Sequence, residues 1–244
     1  MQIIAVANQK GGTGKSTTAA ALAQAAAAAG KKALAIDLDP QGNLSFIMGA
    51  DMQQRTSFDL LEGKSPARII QHREGGPDLI PASLNLAAIK TSTGSAKRLQ
   101  TAIKAIRTPY DLIIIDTPPT AGELQYNALQ AATGLIIPLR ADILSLQGLY
   151  QIADTAAQIK KSNPALQITG IVITQHNDRS TIARQMKESL IAAAQQRAIP
   201  YLGAIREGVA IREAQALQEN LFSYAPKSKP ALDYMEVYKK MTEV

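Results

Sequence analysis

The 244-residue chain predicts an α/β fold: a mostly parallel, twisted sheet with helices on both faces. Three observations carry this. Short apolar runs rich in Ile, Leu and Val recur along the chain, with helical stretches between them. The runs are apolar at consecutive positions, which marks strands covered on both faces. Glycine-rich or acidic residues stand directly after several runs, at the sheet edge where ligands of such folds gather.

The first run is Ile3-Ile4-Ala5-Val6-Ala7, and a glycine turn separates it from an alanine-rich helix over Ser16 to Ala29, stopped by Gly30. Ala33-Leu34-Ala35-Ile36 is the next strand. From Gln41 to about Arg73 no strand is clear, and short amphipathic pieces interrupted by Gly49, Gly63 and Pro66 predict an inserted helical segment. Leu79-Ile80 returns to the sheet. Thr91-Ser92-Thr93-Gly94-Ser95 predicts a polar loop ahead of a helix starting near Ala96. Leu112 to Ile115, Leu135 to Ile137 and Ile168 to Ile173 continue the strands, with Ala204-Ile205 a weaker one. No linker or repeat divides the chain, so one domain over residues 1–244 is expected.

Composition narrows the functional classes. The chain has no cysteine, which excludes a disulfide framework and any Cys-ligated metal or iron–sulfur centre. It enters its first strand directly after Met1-Gln2 and has no apolar run of membrane-spanning length, so a cytoplasmic protein is expected. Twenty-six Lys+Arg against twenty Asp+Glu leave a net charge of +6, which favours polyanionic partners without specifying them.

Residues 10 to 17 read Lys10-Gly11-Gly12-Thr13-Gly14-Lys15-Ser16-Thr17, between a strand and a helix. Glycines let backbone N–H groups turn inward, and the helix adds its positive end, which makes a phosphate cradle. Lys15 is placed to reach β- and γ-phosphates, and Ser16 to hold Mg²⁺. A glycine turn that binds nothing is the bland alternative; glycine spacing, lysine, hydroxyl and strand-to-helix context together speak against it. The sheet is therefore of the P-loop NTPase type. One position departs from the general motif: Gln9 stands where its first glycine belongs, and a second lysine, Lys10, follows.

Two further strand ends carry acids. Asp37-Leu38-Asp39-Pro40-Gln41-Gly42-Asn43 presents two carboxylates, aligned if the strand continues and divergent if Pro40 has already turned it. Asp116, followed by Thr117-Pro118-Pro119, ends a buried apolar run as a Walker B aspartate does, acting on Mg²⁺ directly or through a coordinated water. Together these parts specify nucleoside triphosphate hydrolysis. His72 and His176 are the only histidines, both in polar surroundings that predict surface positions.

The loop form K-G-G-x-G-K-[ST] resembles the deviant Walker A motif of the ParA/MinD ATPases, and the likeness extends to Asp37–Asn43, Asp116–Pro119, Gly170–Thr174, Asn177–Thr181, Tyr224–Lys229 and Tyr234–Met241. With its loop at the start of the chain and no preceding helix-turn-helix, it looks most like the short, Soj-like partition ATPases. Iron–sulfur members of the superfamily are excluded by the absent cysteines.

The resemblance implies ATP/ADP and Mg²⁺ as ligands, with Lys10, Gly11, Gly12, Thr13, Gly14, Lys15, Ser16 and Thr17 binding the nucleotide. It implies that Lys10 acts across an ATP-bound homodimer, Lys15 within its own site, and Asp39 on the attacking water. Ser16, Asp37 and Asp116 serve the metal, Asp37 from its outer shell. Thr117 to Pro119, with Gly122, correspond to the family's switch. Partners implied are non-specific double-stranded DNA and a ParB-type centromere-binding protein that stimulates slow hydrolysis, with nucleoid association in the ATP state.

Candidate DNA contacts are Arg179, Arg184, Arg206, Arg212 and Lys227, although Arg206-Glu207-Gly208-Val209-Ala210-Ile211-Arg212-Glu213-Ala214 displaces the arginines of the family's P-R-N-V-R-L-S-E-A stretch. A MinD-type membrane anchor is not expected: Leu232, Met235, Tyr238 and Met241 fall at helical spacing beside Lys239 and Lys240, but Asp233 and Glu236 make this a core-packing helix. The alternative is a related ATPase positioning another cargo, such as conjugation machinery, a protein array or the division site.

Overall fold

The computed structural model describes residues 1–51, 53–89, 95–177 and 179–243. Its strands are β1 (Gln2–Val6), β2 (Ala33–Asp37), β3 (Asp78–Ile80), β4 (Leu112–Asp116), β5 (Gly134–Arg140), β6 (Gln167–His176) and β7 (Tyr201–Arg206). They form one seven-stranded sheet in the order β3-β2-β4-β1-β5-β6-β7, and every pairing between these strands is parallel. β2 and β4 are buried at every position, as their unbroken apolar runs require. Full burial of one such Leu or Ile contributes about 1.5–3 kcal/mol before chain entropy is counted.

Helices α1 (Lys15–Ala28), α2 (Asn43–Ile47), α8 (Val209–Ala216), α9 (Leu221–Tyr224) and α10 (Lys229–Glu243) cover one face of the sheet. The other face carries α3 (Ser57–Leu61), α4 (Arg98–Lys104), α5 (Glu123–Ala131), α6 (Leu144–Lys160) and α7 (Thr181–Gln196). The chain leaves β1 through α1 toward β2, and leaves β4 through α5 to cross β1 and reach β5. The carboxyl end of β1 is thus the point where the crossovers diverge to opposite faces, and a crevice opens there. The small side chains of Ala19 to Ala21, Ala23, Ala25 and Ala26 are all buried, letting α1 lie close against the sheet.

α10 packs inward through Tyr234, Val237, Tyr238 and Met241, as a core helix does. Leu232 departs from the expected stripe: it is 55% exposed, because the buried face is set by Ala231 and Tyr234 instead. Among the described residues no helix is long and apolar enough to cross a membrane. The inserted stretch after β2 folds as α2, α3 and a 3₁₀ turn at Pro66–Arg68. Thr91 to Gly94 lie outside the described residues, and Ser95–Lys97 forms a 3₁₀ turn entering α4.

His176 is a correction. It ends β6, a strand flanked by β5 and β7, and is 2% exposed rather than on the surface. His72 is exposed as expected, with its Nδ1 beside the Asp78 carboxylate at 2.9 Å.

Candidate functional site

The crevice at the end of β1 is framed by the loop 7–14, the start of α1, and the ends of β2 and β4. Asn8 is fully buried and holds the loop from beneath: its Nδ2 donates to the Pro138 carbonyl (2.8 Å), and its Oδ1 accepts from the Lys10 N–H (3.0 Å). Gln9, at the position where the general motif has glycine, ties the loop to α6 through Nε2 and Thr155 Oγ1 (3.1 Å). Gly12 and Gly14 adopt φ of 72° and 80°, the left-handed region that favours glycine. The Thr174 hydroxyl donates to the Thr13 carbonyl at 2.8 Å and fixes the loop to β6. The N–H groups of Lys15, Ser16 and Thr17, in the first turn of α1, find no acceptor among the described residues. That arrangement suits an anion such as phosphate.

Lys15 is buried, 7% exposed, and its Nζ donates to the Lys10 carbonyl (3.3 Å). Burial holds its ammonium below the ordinary value, while the charges of Asp116 and Asp39 pull it back up. Lys10 turns elsewhere. Its Nζ lies 2.6 Å from each carboxylate oxygen of Asp142, in the turn after β5. Burial pushes the Asp142 carboxyl up, but hydrogen bonds from Lys10 and Ser145 outweigh it and hold the group below its usual range.

Asp37 and Asp116 are register partners across β2 and β4, and Val6 is the partner of Asp116 in β1. The three strand ends therefore meet at one point. Asp116 is fully buried; Oδ1 accepts from the Thr117 N–H (3.0 Å), and Oδ2 has no hydrogen-bond partner among the described residues. Burial raises its carboxyl well above the ordinary range, Asp37 adds repulsion, and the Ser16 hydroxyl and Lys15 charge oppose the shift.

Asp37 has a further task. Its Oδ1 accepts from the Asp39 N–H (3.0 Å), and its Oδ2 from both the N–H and the hydroxyl of Ser45 (2.8 and 2.7 Å). These bonds fold the 37–45 turn and present Asp39 at the edge, where its Oδ1 accepts from the Gln41 N–H (3.0 Å). Burial pushes the Asp37 carboxyl up to about 6 despite those donors.

Three buried carboxyl groups thus crowd one buried lysine, and Asp116 Oδ2 is an acceptor left without a partner among the described residues. Among the described residues no three His, Cys, Asp or Glu side chains converge as a metal cage. Mg²⁺ needs none: one or two carboxylates, a hydroxyl and phosphate oxygens are its usual set, and Asp116 with Ser16 fits that chemistry. The Thr17 hydroxyl accepts from Gln215 Nε2 of α8 (2.9 Å), so it is the N–H of Thr17 that is left to face an anion.

A second cavity of about 470 Å³ adjoins the loop and is lined by Gly14, Thr17, Thr174, Gln175, Arg206 and Gly208, among others. It has the place and size for a nucleoside. The ends of β6 and β7 supply part of it, and of the residues named here only Gln175 lies outside the motifs and stretches that the sequence had marked. Arg212 lines the same cavity. Arg206 is half-buried: its guanidinium pairs with Asp233 at 2.5 Å, and its backbone N–H donates to the same carboxylate at 2.9 Å. Arg179, Arg184, Arg212 and Lys227 are exposed.

A family model described as an AAA domain matches residues 1–168. The chain is 33% identical to the chromosome partitioning protein ParA of Caulobacter vibrioides over 252 residues, covering 99% of this chain and 94% of that protein. It is 32% identical to the sporulation initiation inhibitor protein Soj of Bacillus subtilis, covering 98% of each. A crystal structure from Mycobacterium smegmatis, described as cobyrinic acid a,c-diamide synthase with bound ATP analog and magnesium, superimposes with a TM-score of 0.84. It is 30% identical, with 98% of this chain and 93% of that one covered. The match to the AAA domain model over residues 1–168 and the likeness to these partition proteins over nearly the whole chain place it in a family: the chain belongs to the ParA/Soj family of partition ATPases.

Proposed function

We propose that this protein binds ATP and Mg²⁺ at the end of β1, closes as a homodimer, and in that state holds double-stranded DNA without sequence preference. A ParB-type centromere-binding partner then stimulates hydrolysis, and the cycle partitions a plasmid or chromosome. The observation that carries this reading is the division of labour between the two lysines. Lys15 is buried in its own cradle, whereas Lys10 sits on the rim and points to Asp142, outside that cradle. A rim lysine that does not serve its own phosphate site suits one that serves a facing copy.

Phosphoryl transfer asks the protein for position and charge rather than covalent chemistry. In this reading Lys15 and the N–H groups of the first turn of α1 neutralise the phosphates. Mg²⁺, held when bound by Ser16 and Asp116, supplies further neutralisation of developing charge. Asp39 orients the attacking water and takes its proton, and Asp37 holds Asp39 in place through the 37–45 turn. Pro118 and Pro119 line a cavity of about 420 Å³ together with Asp39, which supports reading them as a switch beside the attacking water. Arg179, Arg184, Arg212 and Lys227 are the exposed cations offered to DNA; phosphate neutralisation at two copies doubles their number.

The ATP analog and magnesium in the M. smegmatis structure support the ligand assignment. The partition proteins matched over nearly the whole chain support the role. An electrophoretic shift of a non-specific duplex with ATP, ADP and no nucleotide tests the cycle. Binding should require ATP, be lost in Lys15→Ala, and persist in Asp39→Ala because hydrolysis stops. Equal binding in all three states refutes the switch.

A further inference from the structure

One large groove of the described structure has no part in the proposed nucleotide site. Its volume is about 760 Å³, and it runs between the segment that follows α3 and the outer side of α4 with its trailing loop. Leu60, Leu61, Ile70, Ala102 and Ile106 form an apolar lining. Leu60 and Leu61 are recessed, at 1% and 3% exposure. Cations stand at its margins: Lys64, Lys97, Arg98 and Arg107.

The charge around this groove is lopsided. Residues 59–70 and 97–108 hold six basic side chains against Asp59 and Glu62, which places four of the chain's net six positive charges here. Both acids are already engaged, Asp59 with Lys64 at 2.5 Å and Glu62 with Arg98 at 3.2 Å. Lys97 and Arg107 are exposed and have no acidic partner among the described residues.

We infer that this groove docks an acidic, amphipathic segment of a partner protein, its apolar side chains in the lining and its carboxylates against Lys97 and Arg107. The chemistry selects this occupant. A nucleic-acid backbone needs accessible cations and gains nothing from a recessed apolar lining. A membrane surface needs protruding apolar side chains, whereas these are sunk below the rim. A helix or strand with apolar residues on one side and Asp or Glu on the other satisfies both parts of the groove. The site is separate from the nucleotide crevice, and the inference stands without the proposed cycle.

Fluorescence anisotropy with a panel of labelled helical peptides, Leu-rich on one face and Glu-rich on the other, tests it. A matched panel with Lys in place of Glu, a short duplex DNA and phosphatidylglycerol vesicles serve as comparisons. Acidic peptides should bind in a salt-sensitive way and protect residues 60–70 and 98–108 from amide exchange. Lys97→Glu with Arg107→Glu should weaken that binding on the order of tenfold while leaving Tm and nucleotide binding unchanged. If that pair does not fold, Lys97→Gln with Arg107→Gln should give a smaller loss in the same direction. The inference fails if no acidic peptide binds, if the Lys panel binds equally, if the variants bind as tightly as wild type, or if protection falls elsewhere. Protection of these segments by the duplex or the vesicles instead assigns the groove to that other partner.

Discussion

Asp142→Asn is expected to tighten ATP-dependent dimerisation. Lys10 lies 2.6 Å from both oxygens of Asp142, and the two side chains are 24% and 38% exposed, so solvent screens the pair. Ion pairs of this exposure contribute about 0.2–1 kcal/mol. If Lys10 must leave Asp142 to reach the facing nucleotide, each protomer loses that amount on dimerisation. Asparagine keeps an acceptor for the Ser145 N–H and hydroxyl, which bond Asp142 Oδ1 at 3.1 Å, but removes the charge that holds the lysine. Releasing one lysine is worth about 1.4- to 5-fold, and two lysines in a symmetric dimer about 2- to 30-fold, in the dimer dissociation constant. Sedimentation equilibrium with Mg²⁺ and a slowly hydrolysed ATP analogue measures this directly. The gain should shrink in high salt, where the wild-type pair is already screened, and Lys10→Ala should weaken the dimer. An Asp142→Asn protein that dimerises no more tightly than wild type at low salt refutes the proposal that this contact competes with the dimer.

Stability should fall as pH rises through the acid range in nucleotide-free, Mg²⁺-free protein. Asp37 binds its proton up to about pH 6 in the fold but releases it near 3.8 when unfolded, so between those values the native state holds the extra proton. Asp37 thus lowers stability progressively over that window, on the order of 3 kcal/mol in all, and Asp116 acts in the same direction. Thermal melts from pH 4 to 7 should flatten in Asp37→Asn, and an unchanged slope rejects the assignment. Gly14→Ala forces a Cβ onto a residue at φ 80° and places it 3.5 Å from the Thr174 side chain; a loss of about 1–2 kcal/mol and of nucleotide affinity is expected in melts and mant-ATP titration. Lys227→Ala should weaken DNA binding and reduce the salt slope by about one without moving Tm. Arg206→Ala should lower Tm instead, because it leaves the 11%-exposed Asp233 side chain without its ionic partner. The reverse pattern would put Arg206 on the DNA face.

What was legible in the sequence is what one strand or one loop states locally. β1, β2, β4 and β5 announce themselves because both faces are buried, and Gly12 and Gly14 because a left-handed backbone favours glycine. Asp39 and Asp116 were found from position alone, as acids after apolar runs. β7 was faint: its exposure alternates irregularly, since an edge strand need cover neither face completely. The remaining site residues depend on pairings that no local pattern encodes. Gln215 reaches Thr17 across 198 positions, and Asp142 reaches Lys10 across 132.

Asp142 nevertheless carried the signal that identified the other acids, since it follows the apolar run of β5 as Asp116 follows that of β4. It differs in what it faces. Asp116 is sealed between strand ends with one oxygen unpartnered among the described residues, a position suited to a cation that arrives with nucleotide in the proposed cycle. Asp142 is on the rim with its cation already supplied by Lys10. The unpartnered acid is thus suited to sensing nucleotide, whereas the satisfied one must be given up before its lysine can serve elsewhere. In the proposed cycle that asymmetry separates nucleotide binding from dimerisation, with the small, salt-dependent energy of the rim pair as the threshold between them.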